Sequence, residues 1–403
     1  MKLALLGSNC EALALVRAIA TSNQDEIVAA YDVELHVDEL EELIPDAIYD
    51  DHWESLLLGT VADAVIIAGK ENNDARADQL RKLVQAAIPM LVIQPICPAI
   101  VGYELDMIRR DTNCVMVPFS AGYWHPAIRT AKEAVERGGE SEIGEVEQIV
   151  IERVAVDRSR ENVLRHLVRD GGLIRHLIGD TNKISAFGSA GENQYSNLSV
   201  SMTSQAGTLS RWSIGPVSDS ARAKLKLIGS RGSLTIDMTP SERDWTLSNP
   251  AHTANDESFE DWDVYKHALL KLANAIDGES STPDWADSCR DLEISDTAQR
   301  SLRRGRAIEL YEEQHTEEQT FKGIMAVGGC SILLAGLLLL FGLALFDGLM
   351  IPFRDDEEDG ERSPRAHLLI RLWPFYPFVL FLLLQLLRLV FRGERKESEP
   401  NVA

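Results

Sequence analysis

Two His/Asp pairs in the middle of the chain could move protons. His166 and Asp170 stand four residues apart, as do His176 and Asp180. On a helix that spacing puts imidazole and carboxylate on one face, one turn apart. The carboxylate can then orient the ring for general-base work near neutral pH. Arg165, Arg169 and Arg175 lie among them. The same stretch therefore also reads as a mixed-charge helix face, or as an arginine-rich pocket for an anion. A second constellation opens the chain. Gly7 follows the apolar run Lys2–Leu6, and Ser8-Asn9-Cys10-Glu11 leads into Leu13, Leu15, Val16 and Ile19 at helical spacing. A second strand-like run, Glu26–Tyr31, ends at Asp32.

Strand, glycine turn, helix, strand and acid form the layout of a dinucleotide-binding βαβ unit. Its turn lets a pyrophosphate approach the backbone at the helix N-terminus, and its acid takes the ribose hydroxyls. The usual G-x-G-x-x-G is reduced to Gly7, with Asn9 at the second glycine position and Ala12 at the third. The expected cofactor is NAD(P), with Gly7, Ser8, Asn9 and Cys10 at the pyrophosphate and Asp32 on the adenosine ribose. The charge of Asp32 favours NAD, because it repels a 2′-phosphate. The bulk of Asn9 and Cys10 and the charge of Glu11 predict weak binding.

Further elements must position these residues. Ala62 to Ala68 reads as a buried parallel strand, Ala75 to Ala87 as a helix, Met90 to Ile93 as a strand, Gly102 to Arg110 as a helix and Cys114 to Val117 as a strand. That alternation predicts a doubly wound Rossmann domain over residues 1–120. Residues 121–310 begin with a helix, Ala127 to Arg137, and continue in strand patterns over Val146 to Val156, Asn197 to Thr203, Thr208 to Ile214 and Lys224 to Asp237. The last breaks at Gly229-Ser230-Arg231-Gly232, a hairpin turn. The second domain is expected to be α+β, with a largely antiparallel sheet and helices on one face.

With 403 residues and a net charge of −23, the chain has room for two domains and shows no basic stripe for nucleic acid. Its five scattered cysteines contain no C-x-x-C pair, which predicts reduced thiols and no metal site. The start of the chain reads as a strand, not as a signal peptide. Beyond a linker at 311–322, residues 323–346 carry no charge and are long enough to span a bilayer. A second apolar run, 372–391, has Arg388 as its only charge. The expectation is a two-helix membrane hairpin around an acidic loop (347–371), followed by a tail (392–403). Lys and Arg flank the hairpin so that both ends, and the first two domains, face the cytoplasm.

Read together, the segments resemble the Gfo/Idh/MocA family of nicotinamide-dependent sugar and polyol oxidoreductases over roughly residues 1 to 310. The carriers are Asp63-Ala64-Val65-Ile66-Ile67-Ala68, Ile93-Gln94-Pro95, His125-Pro126-Ala127, Ile143-Gly144-Glu145-Val146, Ile228 to Asp237 and Ala286 to Leu310. The resemblance implies that Ala68, Gly69, Gln94 and Pro95 join the cofactor set. It also implies a catalytic Lys where this chain has Gln94. Gln94 can donate a hydrogen bond but cannot exchange a proton near neutral pH. Lys70 is a candidate replacement charge. The family's Asp and His fall on Arg165 and Arg169 in a gapless reading from Leu177-Ile178-Gly179. They fall on His176 and Asp180 when anchored on Gly171-Gly172. His176, with Asp180 to orient it, is the favoured base, and Tyr123, Trp124 and His125 are candidate cleft residues. Two functions follow. One is a membrane-anchored NAD(P)-dependent oxidoreductase on a small sugar- or polyol-like alcohol. The other is an inactive relative that binds a ligand or serves as a scaffold at the membrane. A homo-oligomer through the second sheet is a further expectation.

Overall fold

The computed structural model describes residues 1–310, apart from 23, 70–72, 191–193, 216–217, 250–256 and 281, together with 334 and 336–338. Met1–Tyr311 forms one compact unit. No helix among the described residues is long and apolar enough to cross a membrane. The two apolar runs expected to form a hairpin lie outside the described residues, save for those four positions.

Six strands build the first sheet: β1 (Lys2–Leu6), β2 (Glu26–Tyr31), β3 (Ile48–Asp50), β4 (Ala64–Ile67), β5 (Met90–Ile93) and β6 (Met116–Phe119). Four helices connect them: α1 (Cys10–Ser22), α2 (Val37–Leu43), α3 (Asn73–Gln85) and α4 (Ala99–Thr112). The order is β3-β2-β1-β4-β5-β6 and every pairing is parallel. Strands β4 and β5 are buried along their whole length, which requires apolar packing on both faces. The chain leaves β1 on one side and returns to β4 on the other. That reversal opens a crevice outside the carboxyl ends of the strands. Gly7 and Ala68 sit at its two lips.

The second half contains α5 (Pro126–Arg137), β7 (Val146–Val154), α6 (Arg160–Ile178), β8 (Thr181–Ala190), β9 (Tyr195–Ser204) and β10 (Leu209–Ile214). It continues with β11 (Arg222–Gly229), β12 (Ser233–Met238), β13 (Thr246–Ser248), β14 (Glu257–Ser258), α7 (Val264–Ile276), α8 (Trp285–Arg304) and β15 (Ile308–Glu309). The sheet runs β14-β13-β12-β11-β7-β10-β9-β8-β15. Only β7 and β10 pair in parallel; the other neighbours are antiparallel, as the alternation predicted. The hairpin closes at Gly229, whose N–H donates to the Gly232 carbonyl. One face of β11 and β12 buries Ala223, Leu225, Leu227, Leu234, Ile236 and Met238, and Lys224 and Lys226 point out.

A cut at residue 120 separates the two sheets but not their layers. Val264, Ala268 and Leu272 of α7 join the core on one face of the first sheet. Trp285, Cys289 and Leu292 of α8 join the core on the other. The last helices of the chain thus cover the first sheet. Helix α6 packs against α8 through Gly171 and Gly172, where added methyls would press on Ile294 and Asp291. The Gly171-Gly172 pair, used above as a register anchor, is therefore not a turn. It lies inside one continuous helix and lets the partner helix approach.

Candidate functional site

The crevice is built at the turn after β1. Gly7 takes φ +84°, a left-handed conformation that only glycine adopts freely. A methyl there would collide with Nη2 of Arg76 and come within 2.8 Å of the Ala68 carbonyl. Gly7 therefore makes room for an arginine from α3 as well as closing the turn. Asn9 caps α1, its side-chain oxygen accepting from the Ala12 N–H at 2.8 Å. Ser8 Oγ and His36 Nδ1 are hydrogen-bonded at 2.9 Å. Cys10 is an exposed free thiol at the first turn of α1. Helix geometry leaves the first N–H groups of α1 without intrahelical acceptors.

Two carboxylates near the Gly7 turn are tied back into the protein. Asp32, at the end of β2, accepts from Gln79 Nε2 at 2.7 Å and lies 3.7 Å from Arg76 Nη1. The acid expected on the adenosine ribose is thus engaged by α3. Glu11, in the first turn of α1, forms an ion pair with both terminal nitrogens of Arg169 from α6. Arg169 also donates to the Gln94 carbonyl, from Nε at 3.1 Å and Nη2 at 2.8 Å.

Gln94 directly follows β5 and is buried. Its Oε1 accepts from the Ile96 N–H at 3.2 Å, which fixes the orientation of the amide. Its Nε2 has no hydrogen-bond partner. Pro95 follows through a cis peptide bond. Ala68 is buried at the end of β4, with its N–H on the Leu6 carbonyl, and Gly69 has open space around it. Lys70 lies outside the described residues. Glu242 is half-buried near this cleft. Burial raises its proton affinity; the Glu11 carboxylate adds to this and Arg169 opposes it. Burial, with Glu242 and Glu11, pushes the Tyr265 phenol up to about 12.

The proposed base and its acid partner are placed differently from their sequence assignment. Asp180 accepts from Arg175 at 3.2 Å and from Arg290 at 2.7 Å. His176 packs its ring on Tyr123, with centroids 4.4 Å apart. Burial, with Lys132 and Arg175 nearby, lowers His176 to about 4. His166 is likewise lowered to about 4, by burial and by Arg153. Its expected partner Asp170 is bound by Arg153 at 2.6 and 2.7 Å and by Trp212 Nε1 at 2.7 Å. Both carboxylates prefer guanidinium groups, which carry a permanent charge and a donor fork. Arg169, the residue that the gapless register set against the family's His, does reach the crevice.

Tyr123, Trp124 and His125 serve packing and capping. His125 is fully buried. Its Nδ1 accepts from the Ala127 N–H at the start of α5, so its Nε2 donates to the Glu242 carbonyl at 2.9 Å. Trp124 Nε1 donates to the Thr282 carbonyl, and Tyr123 receives Arg175 Nη2. Among the described residues no cluster of metal-binding side chains occurs. Arg76, Gln79, Glu242 and Tyr265 were not singled out from the sequence. No spacing rule marks them, because Arg76 and Gln79 come from α3 and Glu242 and Tyr265 from distant segments.

No protein-family model matches the sequence, and no curated protein does. Solved structures do resemble it. A myo-inositol dehydrogenase from Corynebacterium glutamicum ATCC 13032 is 19% identical, with a TM-score of 0.62 over 77% of this chain and 99% of that one. A scyllo-inositol dehydrogenase from Lactobacillus casei, with bound NAD(H) and scyllo-inositol, is 16% identical. It has a TM-score of 0.61 and covers 77% and 98% of the two chains. An oxidoreductase from Agrobacterium radiobacter, in complex with NAD+, L-tartaric acid and magnesium, is 14% identical, with a TM-score of 0.61 over 77% and 98%. At these identities the likeness establishes architecture: the chain shares the two-sheet fold of these dehydrogenases.

Proposed function

We propose that this chain is an NAD(P)-linked oxidoreductase for a small, hydroxylated, polyol-like molecule. The observation that carries this reading is Gln94 Nε2, a buried donor without a partner at the crevice of a doubly wound sheet. Buried donors are normally paired, and a substrate oxygen would complete this one. Ser8, Cys10 and the first N–H groups of α1 would hold the dinucleotide, with Asp32 toward the ribose and Ala68, Gly69 and Pro95 along the opposite lip. When bound, the cofactor supplies the hydride acceptor. Gln94 donates to the substrate oxygen, and Arg169 fixes the Gln94 backbone. Glu242 is the proton acceptor in this reading, since burial raises its proton affinity. The charge of Asp32 keeps NAD ahead of NADP, although Gln79 and Arg76 moderate it.

One observation favours a second reading, a ligand-binding protein without turnover. Arg169 stands at the crevice bound to Glu11, and an arginine cannot act as a base at neutral pH. Turnover separates the two readings. The full chain would be titrated with NADH and NADPH by fluorescence, then assayed with NAD+ and NADP+ against inositols and sugars. The oxidoreductase reading expects turnover that Gln94→Leu lowers about 100-fold, the usual scale for one aligned donor. Cofactor binding without turnover across the panel would favour the second reading. We also propose membrane attachment through residues 323–346 and 372–391, with residues 1–310 in the cytoplasm; the charge-free first run, the single charge of the second and the flanking Lys and Arg support it. Full-length protein left in the supernatant without detergent would remove that part.

A further inference from the structure

We infer that Arg76 reads a diphosphate at the Gly7 turn, supplying with charge what the loop lacks in bare backbone. The inference rests on the dinucleotide reading above and assigns it a residue outside the glycine motif. Arg76 is fully buried. Its Nη1 donates to Gln79 Oε1 at 2.6 Å and lies 3.7 Å from Asp32. Its Nε and Nη2 have no hydrogen-bond partner. Those two nitrogens carry three of a guanidinium's five N–H groups. Holding Asp32 in place needs only Nη1 and Gln79, so the anchor role leaves most of the group unused. Burial lowers the Arg76 pKa to about 10 against the pull of Asp32 and Glu34, and the group stays charged at neutral pH.

Nη2 lies against Gly7, at the turn that opens α1. Asn9 takes the Ala12 N–H, and the N–H groups before it remain open by helix geometry. A planar donor fork beside a helix N-terminus suits phosphate oxygens. The opposing charge at this end of α1, Glu11, is already paired with Arg169. The ligand chemistry is therefore a diphosphate, whether the bridge of a dinucleotide or a free nucleoside diphosphate.

The test uses calorimetry on the full chain with NADH, NADPH, ADP, AMP and inorganic pyrophosphate. Wild type should bind ADP at least about tenfold more tightly than AMP. Arg76→Gln should erase that preference and weaken ADP and the dinucleotides about 100-fold. If Arg76→Gln does not fold, Arg76→Lys keeps the charge but loses the fork, and should bind ADP about tenfold more weakly. Arg76-dependent binding of ADP and pyrophosphate, with no binding of NADH or NADPH, would uphold the inference and end the oxidoreductase reading. Dinucleotide binding unchanged in Arg76→Gln or Arg76→Lys would overturn the inference and leave that reading standing. No binding of any probe would overturn both.

Discussion

The Gly7 crevice and the cluster around Arg175 each bury a guanidinium among carboxylates, but they use its donors differently. Every nitrogen of Arg175 is engaged. Nε donates to Asp291 at 2.7 Å, Nη1 to Asp287 at 2.9 Å and Asp180 at 3.2 Å, and Nη2 to the Tyr123 hydroxyl at 3.2 Å. At the crevice, Arg76 leaves Nε and Nη2 open, and Gln94 leaves Nε2 open. A saturated network fixes how α6 meets α8. An unsaturated one costs stability and keeps donors for a ligand.

The sharpest way to break this comparison is to replace both arginines by methionine. Arg175→Met strands several carboxylates between helices and should cost about 3–5 kcal/mol in urea unfolding. Arg76→Met removes a buried cation whose Nε and Nη2 donors are already unmet, and should stay within about 1 kcal/mol of wild type or gain stability. Equal losses would mean that the two regions are built alike.

The next effect is a pH dependence within the saturated cluster. Burial, with Asp287 and Asp180 nearby, pushes the Asp291 carboxyl up to about 6 even against Arg175. An unfolded aspartate titrates near about 4. The folded protein therefore binds this proton more tightly than the unfolded chain does. That contribution is fully present below about pH 4, fades as pH rises toward 6 and is constant above it. The stability difference between wild type and Asp291→Asn should therefore change between pH 4 and 6 and be level from 6 to 8. A level difference throughout would remove the carboxyl from this role.

At the crevice, Glu11→Gln removes a negative charge from the start of α1 and releases Arg169 toward a ligand. ADP should bind about tenfold more tightly, with a steeper salt dependence. Weaker binding would show that the Glu11–Arg169 pair assembles the site instead of opposing its ligand. The smallest effect is expected from Gln79→Ala, which takes one donor from Asp32. NADH should gain about fivefold, the scale of one hydrogen bond, and unchanged affinity would place the ribose away from Asp32.

The first sheet was legible where its strands are short apolar runs, and β1, β2 and β5 fall where the pattern put them; β3, three residues with Ile48 and Asp50 exposed, gave no such run. The second sheet was legible where alternation is strict, as in β11 and β12. It was opaque at β8, whose Thr181 to Ala190 includes Lys183, Ser185, Gly188 and Ser189 and shows no strong pattern. At the proposed site only placement was legible, and only where it follows from position along one element, as for Gly7, Asp32 and Gln94 at the strand ends. Partner choice was not legible. Helical spacing put Asp170 near His166, but Asp180 lies past the end of α6, and each carboxylate is taken by arginines. Arg153 comes from a distant strand and Arg290 from a distant helix, and local spacing carries no information about either.

The central claim is that the open donors at the ends of β1 and β5 mark a ligand site. Hydrogen–deuterium exchange on the full chain, with and without saturating NADH, tests it most directly. The account predicts slowed exchange over residues 8–13 and 94–97, with little change over the Arg175 cluster at 287–292. Protection confined to other segments, or none at NADH concentrations up to the millimolar range, would contradict it.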